Sequence, residues 1–216
     1  MRHGQDSALT IQRLPAWRRW LGCRIPPMQA TDPQLLAWGS EWRPLAITIS
    51  ILALCADLPG GEMAAIAVKA PVWLNAIIVT GDVAFAFYCW QWIRYSKHNP
   101  HRIAVEGIQV ITRGSRWMTI PAHTIESVTS RRSPTCGDFD LHNGDIQLSH
   151  SGDGNIRIAL STGTYYADGA RQDPITAVNL RADAPAEYVA AWRQTRWSAA
   201  ESNPLVIPDR VRCQDL

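Results

Sequence analysis

The feature that most limits what this chain can become is residues 72–95, VWLNAIIVTGDVAFAFYCWQWIRY. A run of about 20 apolar residues is long enough to cross a bilayer as a helix, and a helix that is apolar all round has no wet face to turn to water. Asp82 lies near its middle. A carboxylate in lipid costs about 2.5–3.5 kcal/mol on insertion scales, which the remaining apolar side chains outweigh. Insertion is therefore expected, with the core helix of a soluble domain as the alternative. Asn75 and Asp82 are seven residues apart and share a helix face. With Thr80 and Gly81 they make a small, polar seam suited to transmembrane helix pairing, either within the chain or with a second protomer. A proton or ion relay is the other use for such an acid.

A first apolar run precedes this one. Residues 44–58, PLAITISILALCADL, number only 15. A helix that starts near Leu36 reaches spanning length, with Glu41 and Arg43 in its first turns and Trp38 and Trp42 at the interface. Pro59-Gly60-Gly61 stops it, so the two runs read as a helical hairpin over residues 35–97. Seven of the ten tryptophans fall before residue 100, near these runs, where indole rings favour the headgroup level. Arg13, Arg18, Arg19 and Arg24 precede the hairpin, and Arg94, Lys97 and Arg102 follow it. Its loop offers Lys69 against Glu62. Positive charge stays on the cytoplasmic side, so both termini are expected there.

Residues 1–34 read as a basic N-terminal tail. Trp17, Trp20 and Leu21 recur at helical spacing, either as a short surface helix or as bulky residues in a loose segment. RRWLGC, residues 18–23, has only Trp20 and Leu21 between its arginines and Gly22-Cys23, too little for a signal peptide. A net charge of +2 commits the chain to no nucleic acid. The five cysteines are scattered and odd in number, without a C-x-x-C, which argues against a disulfide framework or a zinc site.

From His101 the texture changes. Ile103, Val105, Ile108, Val110, Trp117 and Thr119 follow strand spacing, with turns at Glu106-Gly107 and Arg113-Gly114-Ser115. Residues 145–150 and 155–160 read as strands joined in a hairpin by SGDGN, and residues 175–180 as another strand. Asp183, Pro185 and the stripe Tyr188, Val189, Trp192, Trp197 then open and build a helix. The fold class is α+β: an N-terminal transmembrane helical hairpin, then an antiparallel β-sheet domain over residues 98–197 with a C-terminal helix, then an extension over 198–216.

IAVEGIQVITRGSRWMTIPAHTIESV resembles the opening of bacterial pleckstrin-homology-like domains that follow paired transmembrane helices. The resemblance rests on the glycine turn between the first strands, on Ile120-Pro121 and on Ile125-x-x-Val128. The closing NLRADAPAEYVAAWRQ is similar to that family's last strand and helix. The resemblance implies a PH-like sheet on the inner face of a bacterial cytoplasmic membrane, in a multi-pass protein, and implies little chemistry. Residues 133–143 and 162–173 depart from it as longer loops.

Arg113 and Arg116 flank one turn and Arg131-Arg132 follow the next strand, a candidate rim for lipid phosphates or a protein partner. Residues 98–197 hold ten arginines and ten acids, so the domain as a whole is neutral. DFDLHNGD, residues 138–145, has the alternation of a calcium loop but a late glycine and no closing glutamate. No nucleophile elbow or phosphate-cradling loop is present. The expected function is non-catalytic: a membrane-anchored interaction module that recruits or regulates a protein partner, with no metal or cofactor, binding membrane lipid and a protein partner or a second copy. The alternatives are a subunit of an envelope or secretion complex assembled through its helices, and an enzyme with an unrecognised site.

Overall fold

The structure, a computed structural model, describes residues 7–15, 18, 24–30, 32–38, 40, 42–52, 60, 63, 71–112, 116–133, 140–148, 154–168 and 171–202. They fall into two compact units. One is built from parts of 1–13, 26–36 and 101–216, the other from parts of 14–25 and 37–100.

The first unit holds two sheets and a helix. The larger sheet has seven strands in the order β11 (Arg171–Pro174), β10 (Thr164–Asp168), β1 (Ser7–Arg13), β5 (Arg116–Pro121), β4 (Gly107–Thr112), β3 (His101–Ala104), β2 (Gln34–Leu36). The smaller has five: β6 (Ile125–Ser133), β9 (Gly154–Leu160), β12 (Ala177–Leu180), β8 (Asp145–Gln147), β7 (Asp140–His142). Pairing is antiparallel except for β1 with β10 and β12 with β8. Period-two patterning decides which side chains go in. Along β9, Ile156, Ile158 and Leu160 are buried while Asn155, Arg157 and Ala159 are half-buried. These isoleucines meet Ile108, Val110, Met118 and Ile120 of the larger sheet in one core, which Tyr188, Ala191 and Trp192 of the C-terminal helix (Pro185–Ser202) complete. Each fully buried Ile contributes about 1.5–3 kcal/mol.

Two turns require their glycines. Gly107, between β3 and β4, has φ +152°, and a Cβ there would stand 2.2 Å from the Ile120 carbonyl oxygen. Asn143 and Gly144, at φ 52° and 82°, form the two-residue link of the β7–β8 hairpin, where both central residues need positive φ.

The second unit contains α1 (Trp42–Leu52) and α2 (Val72–His98), which pack against one another. Numbering the helices in order makes Pro185–Ser202 α3.

These elements correct the fold class expected from the sequence. The protein is a mixed α/β chain, and no N-terminal transmembrane hairpin stands among the described residues. Among the described residues only Ala76–His98 is long and apolar enough to cross a membrane, and it lies mid-chain, behind two strands. Within the described residues α1 runs over Trp42–Leu52. Residues 35 and 36, counted as the start of that first helix, are edge strand instead. Nor is the sheet domain purely antiparallel. It has two sheets and two parallel pairings, β12 with β8 and β1 with β10, the latter because β1, inside the segment expected to be a tail, inserts between β10 and β5. The expected hairpin across SGDGN does not form either: β8 and β9 each pair with β12, whose four residues are all buried and central. In α3, Trp197 is 69% exposed and leaves the stripe, while Ala191 and Thr195 join the buried face. Trp17, Trp20 and Leu21 lie outside the described residues.

Candidate lipid-facing surface and its polar base

Both helices of the second unit expose large apolar side chains. α1 buries Ala46, half-buries Arg43 and Ser50, and exposes Leu45, Ile47, Ile49, Ile51 and Leu52. The inward stripe follows i, i+3, i+7 and is small or polar, the reverse of a helix folded in water. α2 shares the exposed apolar surface. Cys89, Tyr95 and Ser96 are buried and Ile78, Val79, Asp82, Ala86, Gln91, Trp92 and Ile93 half-buried, whereas eight large side chains point outward: Trp73, Leu74, Ile77, Val83, Phe85, Phe87, Tyr88 and Trp90. Only 6% of its most apolar window is buried, at a mean hydropathy of 1.3. Large apolar side chains facing outward are what a lipid environment favours, since lipid supplies the apolar contact. If each outward side chain regains about half of the 1.5–3 kcal/mol of full burial, the gain is on the order of 10 kcal/mol. That exceeds the cost of about 2.5–3.5 kcal/mol for the single acid.

The C-terminal end of α2 carries an interfacial composition. Trp90 stacks on Phe87 at 5.7 Å between centroids, and the Arg94 guanidinium lies 5.3 Å from the Trp90 ring. Lys97 and His98 stand in the last turn, where positive charge suits the helix dipole.

Beneath that turn is a polar lock. Asn99 is fully buried. Its backbone N–H and its Nδ2 both donate to the Tyr95 carbonyl, at 3.1 Å each. Its Oδ1 accepts from the Ile25 amide at 2.7 Å, and its carbonyl accepts from Trp38 Nε1 at 2.7 Å. The Trp38 and Tyr95 rings meet edge to face. Arg43 Nε donates to Ser96 Oγ at 3.2 Å. The first turn of α1 and the last turn of α2 are thereby joined side by side.

In the sheet unit, two polar groups stand out. His101 is buried between strands and α3. Its Nδ1 accepts from the Ile111 amide at 3.0 Å, so the proton sits on Nε2, which donates to the Arg181 carbonyl at 3.3 Å. Tyr188 packs edge to face on the ring. Burial lowers the imidazole pKa from 6.5 to about 4, opposed by the Arg181 hydrogen bond and by the Asp183 charge. Burial likewise raises the Tyr188 phenol above its ordinary value. On the other sheet, the Asp145 carboxylate accepts from both terminal nitrogens of Arg157, from Thr176 Oγ1 at 3.0 Å and from Asn179 Nδ2 at 3.2 Å. Asn179 and Gln147 are buried beside it on paired strands. This network rests on register, and no sequence signal short of knowing the pairing of β8, β9 and β12 reveals it.

The residues singled out from sequence are distributed as follows. Asn75 and Asp82 both lie on α2. The Asp82 Oδ2 is buried and has no hydrogen-bond partner among the described residues, and the side chain of Asn75 lies outside them. Arg116 is on β5 of the larger sheet, paired with Arg13 of β1 and Thr112 of β4. Arg131 and Arg132 are exposed on β6, an edge strand of the smaller sheet. Arg113 falls outside the described residues. His142 is exposed on β7, and no group of three His, Cys, Asp or Glu able to hold a metal stands among the described residues. Asn99, Ser96 and His101 carry geometry that the sequence reading passed over. They were legible only as polar residues crowded at the end of an apolar run.

No family model, curated protein or solved structure matches this chain.

Proposed function

We propose that the chain is a non-catalytic, membrane-anchored interaction module. Its apolar helices engage lipid, and its two-sheet unit works at the inner face of a bacterial membrane, recruiting or regulating a protein partner. The observation that supports this reading is the exposed apolar surface of α1 and α2, with eight large apolar side chains outward on α2 alone. A soluble protein rarely leaves so large an apolar surface open to water.

Flotation of the full chain with vesicles tests the anchoring. The protein is expected to float with neutral vesicles and to resist extraction by high salt. Recovery as a monodisperse soluble species without detergent overturns the reading. Anionic lipid tests the arginines separately. If Arg131 and Arg132 meet lipid phosphates, adding anionic lipid increases recovery in the floated fraction, and Arg131→Glu/Arg132→Glu abolishes that increment. An unchanged increment assigns them no lipid role.

A second reading is favoured by the buried Asp82 oxygen on α2 that has no hydrogen-bond partner among the described residues: a subunit of an envelope or secretion complex, assembled through α2. Asp82→Leu then preserves membrane residence and dissolves a crosslinkable oligomer. A wild-type chain that crosslinks to nothing in membranes removes this reading.

A further inference from the structure

We infer that the sequences on both sides of α2 share one compartment, so that α2 is not a single-pass anchor. This rests on the membrane reading above and deepens it.

Two independent observations carry the inference. In the sheet unit, β2 lies antiparallel beside β3 in the register Leu36↔His101. Leu36 is the last residue before the excursion of residues 37–100, and His101 is the first after it. Hydrogen-bonded neighbours cannot stand on opposite sides of a bilayer. The flanks are bound further, since β1 pairs with β5 and β10, which follow α2 in the chain. In the helical unit, Arg43 at the start of α1 bonds Ser96 at the end of α2, and Asn99 holds both Trp38 and Ile25. The chain therefore leaves for the helices and returns from them at one place, closed by bonds within each unit.

A single crossing by Ala76–His98, the one helix with the length for it among the described residues, would have to break these pairings. Each unpaired strand would leave backbone groups without partners, and the buried Asn99 would lose every bond it makes outside its own helix turn. The conclusion does not depend on which residues carry positive charge, and it assigns sidedness without assigning a compartment.

The test is thiol labelling of the full chain with Cys23, Cys55, Cys89, Cys136 and Cys213 replaced by Ser. Gln29→Cys, before the excursion, and Val105→Cys, after it, are each introduced singly at exposed positions. Thr129→Cys, exposed on β6, repeats the measurement should Val105→Cys fail to accumulate. A membrane-impermeant maleimide is applied to right-side-out and to inverted vesicles from expressing cells. Both positions are expected to label at least about tenfold more in the same vesicle orientation. Labelling in opposite orientations overturns the shared-compartment inference and leaves membrane anchoring intact. A protein that fails to sediment with the vesicles overturns both.

Discussion

Acidification probes the sheet unit through a buried imidazole. Folding holds His101 neutral, with a pKa near 4 against 6.5 for a free side chain. Between those values the unfolded chain takes up a proton that the folded chain refuses. Stability is therefore complete above about pH 6.5, declines as the pH falls, and stops declining below about pH 4. The shift corresponds to about 3 kcal/mol in full, and to about 2 kcal/mol lost between pH 7 and pH 5. Geometry explains the direction: Nδ1 already accepts the Ile111 amide, and a proton placed there would set two donors against each other in a dry site. The assay is denaturant unfolding of the full chain in detergent, followed by the β-sheet circular dichroism signal, at pH 7 and pH 5. His101→Gln, polar but without a titration in this range, is run in parallel, so that each protein's pH difference cancels the variant's own cost. The wild type is expected to lose about 2 kcal/mol more than the variant. Nitrogen chemical shifts give a second readout, with Nε2 protonated and Nδ1 bare down to about pH 4.5. Equal pH dependence in the two proteins, or a His101 titration near 6.5, refutes the reasoning.

Other expectations follow from single contacts. Asn99→Ala removes the bonds from the Ile25 amide and to the Tyr95 carbonyl and should cost about 1–3 kcal/mol in detergent-unfolding experiments; a change within error would mean the lock holds nothing. Gly107→Ala forces a Cβ to 2.2 Å from a backbone oxygen at positive φ, and a loss of more than about 3 kcal/mol, or failure to accumulate, is expected from expression and melting. Asp145→Ala strips partners from Arg157, Thr176 and Asn179 together, so its destabilisation should be about 1–3 kcal/mol. Arg131→Glu/Arg132→Glu alters exposed side chains and should shift stability by less than about 0.5 kcal/mol, measured by melting, so that any binding defect is not a folding defect.

Local chemistry made several elements legible. The β3–β4 turn at Glu106-Gly107, the alternation of β9 and the start of α3 at Pro185 each depend on neighbours within one or two turns. The Asn143-Gly144 hairpin is equally local, since Asn-Gly is a strong two-residue turn signal, although the carboxylates around it also mimic the alternation of a calcium loop. β1 was legible as well: Leu9 and Ile11 alternate within SALTIQR, yet a basic flank drew it into a tail. The paired crossing failed for a different reason. Fifteen apolar residues plus eight upstream were summed into one helix, although a strand and a turn interrupt them. The candidate site was half visible. The apolar length of α2 is a property of composition, but which of its faces points inward is not.

What the sequence determined alone is that residues 72–95 form one long apolar helix with an acid in it, because helix formation and hydropathy are properties of consecutive residues. Tertiary structure decided everything that depends on pairing across distance. It placed Leu36 against His101, Asn99 against Ile25 and Arg157 against Asp145. Those partners lie 65, 74 and 12 residues apart, and no local preference specifies such contacts. Only the burial of the strands and helix ends between them fixes the register.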